Sequence, residues 1–165
     1  MAYTPEQLSD MQCIRDAALR YCRGVDRLDV ELMKSAYWES ATDDHGVFVG
    51  DAWEFCAMCM EAHLPWRSTN HCILNHAIEL IDDHTATGEI YNVTYLFQDA
   101  EPVLDLWVGR YLDKYEKRGD EWRIIERVCV HEGTHSAPVT AMEFDTSNFR
   151  LGSFDRPSSG RPIGP

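Results

Sequence analysis

Residues 103–131 read VLDLWVGRYLDKYEKRGDEWRIIERVCVH. Two runs rich in β-branched and aromatic residues flank the turn-forming triplet RGD at residues 118–120. Each run is long enough for a strand. The stretch therefore predicts a β-hairpin, with strands over residues 103–117 and 122–131.

Two further strands precede this hairpin, over residues 70–80 and 86–98, because apolar and polar residues alternate there. Side chains that are two positions apart share a face of a strand. In the first strand one face is expected to carry His71, Ile73, Asn75, Ala77 and Glu79. In the later strands the expected same-face sets are Tyr91, Val93 and Tyr95, and then Arg127, Cys129 and His131.

Three helices are predicted before the strands. Thr4 with Gln7 forms a capping box at the first, and an apolar stripe then runs to Asp26, with Gly24 loosening the end. A second short helix is expected over residues 30–37. A third is expected over residues 52–63, capped by Asp51. Helices packed on a strongly bent antiparallel sheet give an α+β fold that encloses a cavity suited to a small molecule.

Composition excludes several classes of protein. The 165 residues carry 15 Lys and Arg against 28 Asp and Glu, a net charge of −13, so phosphate backbones would repel the chain and nucleic-acid binding is not expected. The sequence has no apolar run that could span a membrane and no signal-peptide pattern. A cytoplasmic protein with six free cysteines is therefore expected, and Cys56 and Cys59 are interpreted as buried thiols.

Asp26 and His71 are the leading catalytic candidates. Asp26 ends the first helix and closes its apolar stripe, so a buried carboxylate there needs a partner. His71 opens a strand and could supply that partner. A carboxylate fixes the tautomer of an imidazole and raises its basicity, which makes a base for proton abstraction. Without the partnership, Asp26 would be a surface acid and His71 an ordinary strand-end histidine.

Other candidates surround this pair. His45 is a second possible acid or base, and Tyr21 could donate a hydrogen bond to a leaving group. Asp43 is interpreted as part of a solvated turn. If Arg127 pointed inward it would need to bind an anionic group or Asp26 itself, and if it pointed outward it would be a surface or subunit-contact residue; the inward orientation is favoured. The predicted substrate-binding residues are Asp44, Tyr95, Arg127, Asn75 and Trp53.

The remaining histidines carry no motif. His76, His84 and His135 are expected at the surface or at an interface, with His76 on the face opposite His71. His63 is expected to be stabilised by the dipole at a helix C-terminus. No helix face carries a spacing typical of metal ligands, so neither a metal nor another cofactor is expected.

The chain resembles the SnoaL-like branch of the nuclear-transport-factor-2-like superfamily. Three stretches carry the resemblance: residues 20–26 (RYCRGVD) with Asp29, the strand that begins at His71, and residues 113–124 (DKYEKRGDEWRI). The resemblance implies a cone-shaped, cystatin-like α+β barrel over residues 1–135. Residues 136–165 are then a C-terminal extension that wraps the domain or frays.

The resemblance also implies a chemistry. Asp26 and His71 stand where hexachlorocyclohexane dehydrochlorinase and scytalone dehydratase carry their catalytic Asp and His, and bile-acid 7α-dehydratase is similar in plan. Scytalone dehydratase also uses pocket tyrosines, which favours Tyr21, and the dehydrochlorinase has a pocket arginine near the position of Arg127. A homo-oligomer formed through the back of the sheet is implied, with a trimer favoured over a dimer.

The expected function is that of a cofactor-independent lyase that acts on a small, apolar, aromatic substrate. Water, halide or a one-carbon fragment could leave, and similarity to proteins of bacterial aromatic catabolism suggests formaldehyde loss from a lignin-derived diarylpropane to give a stilbene. Two alternatives remain open. One is an isomerase or hydrolase that uses the same pocket. The other is a non-catalytic ligand-binding module or the small subunit of an aromatic-ring dioxygenase.

Overall fold

A computed structural model describes residues 2–98, 102–140, 143–145 and 147–149 of the chain. Three helices and six strands occur in these residues, and together they form the predicted α+β fold, with the long helix and two short ones packed on a curved sheet. The helices are α1 (Pro5–Asp26), α2 (Val30–Lys34) and α3 (Ala52–Ala62); the strands are β1 (Tyr37–Asp44), β2 (Val49–Asp51), β3 (Trp66–Leu80), β4 (Thr85–Gln98), β5 (Val103–Arg118) and β6 (Glu121–Pro138).

The sheet has the strand order β2-β1-β6-β5-β4-β3. The expectation of a purely antiparallel sheet is wrong for one pair, because β1 runs parallel to β6. The predicted second helix is also too long, since α2 ends at Lys34 and Tyr37 begins β1. The reason is non-local: the amide of Ile124 donates to the carbonyl of Ala36 at 2.9 Å, so this backbone already belongs to the sheet.

The last strand is longer than expected. It continues past His131 to Pro138, where it pairs with Val103 at the start of β5. The apolar alternation fades after His131, and backbone pairing to β5 maintains the strand without it. Most of the predicted C-terminal extension, residues 141, 142, 146 and 150–165, lies outside the described residues.

Helix α1 has the predicted N-terminus, in which Thr4 and Gln7 form both hydrogen bonds of a capping box. Gly24 does not loosen the helix end. It lies buried against α2, where a β-carbon would come within 2.5 Å of the Met33 backbone nitrogen. The glycine therefore permits the close crossing of the two helices that sets the position of Asp26.

The two faces of the sheet differ in character. Cross-strand pairs such as Asn92 with Gly109 and Thr94 with Trp107 lie on the inner face, toward the helices. Tyr91 and Tyr95 lie on the outer face and are partly exposed. The described helices are each too short or too polar to cross a bilayer.

Candidate active site

A cavity of about 530 Å³ opens between the helices and the inner face of the sheet. Its wall combines aromatic rings with imidazoles and a few small polar groups. The lining residues are Tyr21, His45, Gly46, Val47, Phe55, Cys59, His63, Trp66, His71, Thr94, Leu96, Trp107, Tyr111, Cys129 and His131. This composition suits an apolar, aromatic ligand that is oriented by a few hydrogen bonds.

Asp26 and His71 meet at this cavity. Nδ1 of His71 lies 2.7 Å from Oδ1 of Asp26. The backbone amide of His71 donates to the other carboxylate oxygen at 2.9 Å, and the Thr69 hydroxyl donates to Oδ1 at 2.8 Å. Asp26 is only 8% exposed, so these donors replace its solvation. With Nδ1 engaged as a donor, Nε2 is the nitrogen left to accept a proton.

The fold explains this meeting. Asp26 is the last residue of α1, and β3 begins five residues before His71. Thr69 and His71 are two positions apart on β3, so both side chains point to the same carboxylate. Thr69 was not among the predicted site residues. Its fixed spacing from His71 was the one signal that could have found it.

A second carboxylate–imidazole pair lies on another wall of the cavity. Asp43 is fully buried, which corrects the interpretation of a solvated turn. Its carboxylate accepts a hydrogen bond from the Tyr37 hydroxyl at 2.7 Å and another from Nδ1 of His45. The His45 ring stacks on Phe55, with ring centroids 4.1 Å apart. The pairing of β1 with β6 buries Asp43, and local sequence does not reveal that pairing.

Tyr21 lies between the two histidines. Its hydroxyl is 3.3 Å from Nε2 of His45, and its ring meets the His71 ring edge-on, with centroids 6.4 Å apart. Burial raises the pKa of the Tyr21 phenol well above its ordinary value, so this group is a proton donor rather than an anionic base. The same cause raises the pKa of Tyr111.

Arg127 points inward, as expected, but it does not line the cavity. Its Nε and Nη2 donate to the two oxygens of Asp113, each at 2.7 Å. The guanidinium lies 4.3 Å from the ring centre of Tyr21 and 4.1 Å from that of Tyr111. Its anionic partner is therefore Asp113 and not Asp26, and the prediction that it binds substrate is not supported by its position.

Four other predicted substrate-binding residues lie outside the cavity lining. Tyr95 is on the outer face of β4, and Asn75 is exposed where a register shift interrupts β3. Trp53 packs on the far side of α3, with the Lys34 ammonium 5.5 Å from its ring centre. Asp44 holds the following turn by accepting the Gly46 amide at 2.9 Å.

His63 lines the cavity, although only a helix-end role was expected for it. Nδ1 of His63 donates to the carbonyl of Cys59 at 2.9 Å. Burial, with a contribution from the neighbouring His71, lowers its pKa to about 4, so the ring is neutral and is not the dipole-stabilised cation expected. His131 also lines the cavity. It shares the inner face of β6 with Arg127 and Cys129, so the alternation of the strand predicts this orientation.

His76 is half-buried rather than at the surface. The register shift between Ile73 and His76 places its Nε2 at 3.4 Å from the Tyr115 hydroxyl in the core. Burial lowers the pKa of His76 to about 4. The prediction that His71 and His76 lie on opposite faces of the strand is wrong, because it assumed a strand without a register shift.

The described residues contain no cluster of three or more His, Cys, Asp or Glu side chains arranged to hold a metal ion. The six cysteines are free thiols. Burial raises the pKa of Cys56 to about 12, and of Cys59 further, so neither thiol is activated as a nucleophile.

Together these groups can move protons. His71 offers a nitrogen that can accept a proton, Tyr21 offers a neutral phenol, and aromatic side chains line the space around them. A substrate held there could lose a proton on one side and gain one on the other.

Solved structures with the same fold include a candidate scytalone dehydratase from Novosphingobium aromaticivorans DSM 12444, at 18% identity and a TM-score of 0.74 over 84% of this chain and 95% of that one. The dehydrochlorinase LinA-type3 from Novosphingobium barchaimii LL02 is 17% identical, with a TM-score of 0.71 over 85% and 97% of the two chains. A Mycobacterium tuberculosis protein of unknown function is 23% identical, with a TM-score of 0.69 over 80% and 78%.

At these identities the likeness shows the fold, which a Nostoc punctiforme relative also shares as a cystatin-like fold. No curated protein sequence matches the chain. The sequence profile of the SnoaL-like domain matches residues 6–128, which include both carboxylate–imidazole pairs and all but the last strand segment of the sheet. The chain therefore belongs to the SnoaL-like domain family.

Proposed function

We propose that this protein is a lyase that abstracts a proton with His71, oriented by Asp26, and eliminates a leaving group from a small aromatic substrate without a cofactor. The observation that carries the proposal is the 2.7 Å contact between Asp26 and His71 at the wall of an apolar cavity. Both the base and the proton donor needed for elimination are then side chains of the chain itself.

In this mechanism Asp26 keeps the proton of His71 on Nδ1, so that Nε2 can accept a proton from the substrate. Asp26 also stabilises the imidazolium that forms. The electron pair of the broken bond becomes the new double bond, and the leaving group departs with its own pair. Tyr21 assists that departure, or His45, whose Nε2 lies 3.3 Å from the Tyr21 hydroxyl.

The side chains that line the cavity support an aromatic substrate. Phe55, Trp66 and Trp107 offer aromatic surfaces, and a cavity of about 530 Å³ has room for a compound with two aryl rings. Two structural neighbours are named for eliminations, a dehydratase and a dehydrochlorinase. Within this class we favour a 1,2-diarylpropane-1,3-diol. His71 takes the proton of the hydroxyl on C3, and the O–H electron pair becomes the second bond of formaldehyde. The electrons of the broken C2–C3 bond form the double bond of a stilbene, and the hydroxyl on C1 leaves as water.

The test is a comparison of variants on a substrate panel. Wild-type protein, His71→Ala and Asp26→Asn are assayed with diarylpropanediols and with β-hydroxy and β-chloro diaryl ketones, and the alkene products are measured. We expect each variant to lose roughly 10² to 10⁴-fold in kcat. His84→Ala changes an exposed turn residue and serves as the control, with activity equal to wild type.

Two results would favour other functions. If His71→Ala kept its activity while Asp26→Asn lost it, a carboxylate would be the base, as expected of an isomerase or hydrolase. If no compound in the panel reacted but several bound, a ligand-binding module would be the better description.

A further inference from the structure

Asp43 is a fully buried carboxylate that the mechanism above does not use. It is the second-last residue of β1, two positions before the cavity-lining His45, and accepts hydrogen bonds from the Tyr37 hydroxyl and from Nδ1 of His45. Burying a carboxylate is costly unless donors compensate it. The neutral Tyr37 phenol compensates only weakly for the lost solvation of the Asp43 carboxylate. Of the two donors, Tyr37 and His45, only His45 also lines the cavity.

The chain of contacts continues from His45 to Tyr21. Nε2 of His45 is 3.3 Å from the Tyr21 hydroxyl, and Tyr21 in turn lies beside the His71 ring. Stacking on Phe55 holds the His45 ring in place. The three groups Asp43, His45 and Tyr21 thus form a continuous hydrogen-bonded series that ends at the cavity, beside the proposed base.

We propose that Asp43, His45 and Tyr21 form a proton relay that protonates a leaving oxygen, and that the natural substrate therefore loses a hydroxyl group rather than a halide. This inference rests on the proposed lyase function. A departing hydroxide needs a proton because it is a strong base, whereas chloride departs as a stable anion. A relay that ends in a phenol is useful only for the first kind of leaving group.

Dehydration of a β-hydroxy ketone by this relay uses His71 as the base and Tyr21 as the acid. Nε2 of His71 takes a proton from the substrate, and the electrons released form the carbon–carbon double bond. The carbon–oxygen bond breaks, and its electron pair stays on the oxygen. That oxygen takes the proton of Tyr21, while the imidazolium of His45 passes its Nε2 proton to the Tyr21 oxygen. Turnover ends with His71 protonated, His45 neutral and water released, and exchange with solvent restores both rings.

Asp43 is a positioning residue in this scheme, because it acts through His45. Asp43 accepts a hydrogen bond from Nδ1 of His45, so that Nε2 of His45 faces Tyr21. Its negative charge also stabilises the His45 imidazolium before the proton is transferred. A purely structural role for Asp43 would affect every substrate equally. A relay role affects only substrates whose leaving group needs a proton.

The experiment therefore uses two probes with one carbon skeleton, 3-hydroxy-1,3-diphenylpropan-1-one and its 3-chloro analogue. Both give the same chalcone, which is followed by absorbance after the uncatalysed rate is subtracted. The proteins are wild type, Asp43→Asn, Tyr21→Phe and His71→Ala. Asp120→Asn makes the same chemical change in an exposed turn and is the matched control.

We expect Asp43→Asn and Tyr21→Phe to lower kcat about 10²-fold on the hydroxy probe and less than about threefold on the chloro probe. His71→Ala is expected to lower both rates by a similar factor. Tyr21→Phe keeps the ring and its packing, so it decides the question if Asp43→Asn folds poorly.

Equal losses on the two probes, or no loss on either, would overturn the relay while the dependence on His71 left the lyase function standing. Turnover of both probes that did not depend on His71, or of neither probe, would overturn the lyase function itself and the relay with it.

Discussion

At the scale of single residues, the β5–β6 pair carries a buried ion pair on its inner face and, beside it, an exposed ion pair on its outer face. Asp113 and Arg127 are adjacent across the strands on the inner face, and both side chains are fully buried. Lys114 and Glu126 are the next pair along, on the outer face, and both are exposed. The two pairs share strands and chemistry and differ in burial, so they isolate the effect of solvent on an ion pair.

We expect Asp113→Asn to lower the free energy of unfolding by about 3–5 kcal/mol, because it leaves the buried Arg127 without its counter-charge. Glu126→Gln removes the exposed partner of Lys114 and is expected to cost about 0–1 kcal/mol. Urea denaturation of the two variants measures both values. Similar costs for the two changes would contradict this account of Arg127.

At the scale of elements, the crossing of α1 and α2 depends on Gly24. The backbone of Met33 approaches so closely that a β-carbon on residue 24 would force the helices apart. Because Asp26 follows two residues later, this crossing also sets the distance from α1 to β3 and to His71.

Gly24→Ala is therefore expected to destabilise the protein by about 1–3 kcal/mol, although alanine is the better helix former. It should also lower the rate of the proposed reaction by moving Asp26. Gly133→Ala is the control, since its β-carbon would meet no neighbour. Thermal unfolding and kcat of the two variants are the measurements, and an unchanged melting temperature for Gly24→Ala would rule out the tight crossing.

At the scale of the whole molecule, two neutral histidines make stability depend on pH. The pKa values of His63 and His76 fall from an ordinary 6.5 to about 4 on folding, chiefly through burial. Between these values the unfolded chain binds more protons than the folded chain, so protons favour unfolding.

The free energy of unfolding should therefore decline as the pH falls from about 6.5 to about 4, and the contribution of these two residues should level off below that. His76→Gln is expected to flatten the decline, because glutamine does not titrate. Urea denaturation at a series of pH values gives the slope, and an equal slope in His76→Gln and in wild type would exclude this residue as a source.

The outer face of the sheet is the expected surface for association between whole molecules. Tyr91, Tyr95 and Leu112 are 44%, 39% and 39% exposed on that face. Exposed apolar side chains on a sheet face favour association even beside charged pairs such as Lys114 with Glu126, and we expect a homo-oligomer, a trimer rather than a dimer. Light scattering should give a multiple of the 19.0 kDa chain mass.

Leu112→Lys should reduce that mass toward the monomer, whereas Leu19→Lys on the exposed side of α1 should not. A monomeric wild-type chain would contradict this prediction. A chain that stays insoluble without a large partner would favour the dioxygenase-subunit alternative.

Much of the secondary structure could be predicted from local patterns. The capping box at Thr4 and the hairpin at residues 118–120 lie where the sequence places them, since caps and tight turns depend on adjacent residues. The strand β1 and the end of β6 were missed because pairing with distant backbone holds them. The approach of Asp26 to His71 was reached through family resemblance and not through periodicity alone.

The sequence by itself determined the α+β class, the order of most elements and the acidic, apolar-cored character of the protein, because these depend on composition and on periods of two and 3.6 residues. Only the tertiary structure decided which polar groups meet. Parallel pairing of β1 with β6 buries Asp43, and a register shift in β3 turns His76 inward. Asp113 forms the ion pair that neutralises Arg127. Each outcome depends on contacts between segments far apart in the chain, which no local pattern records.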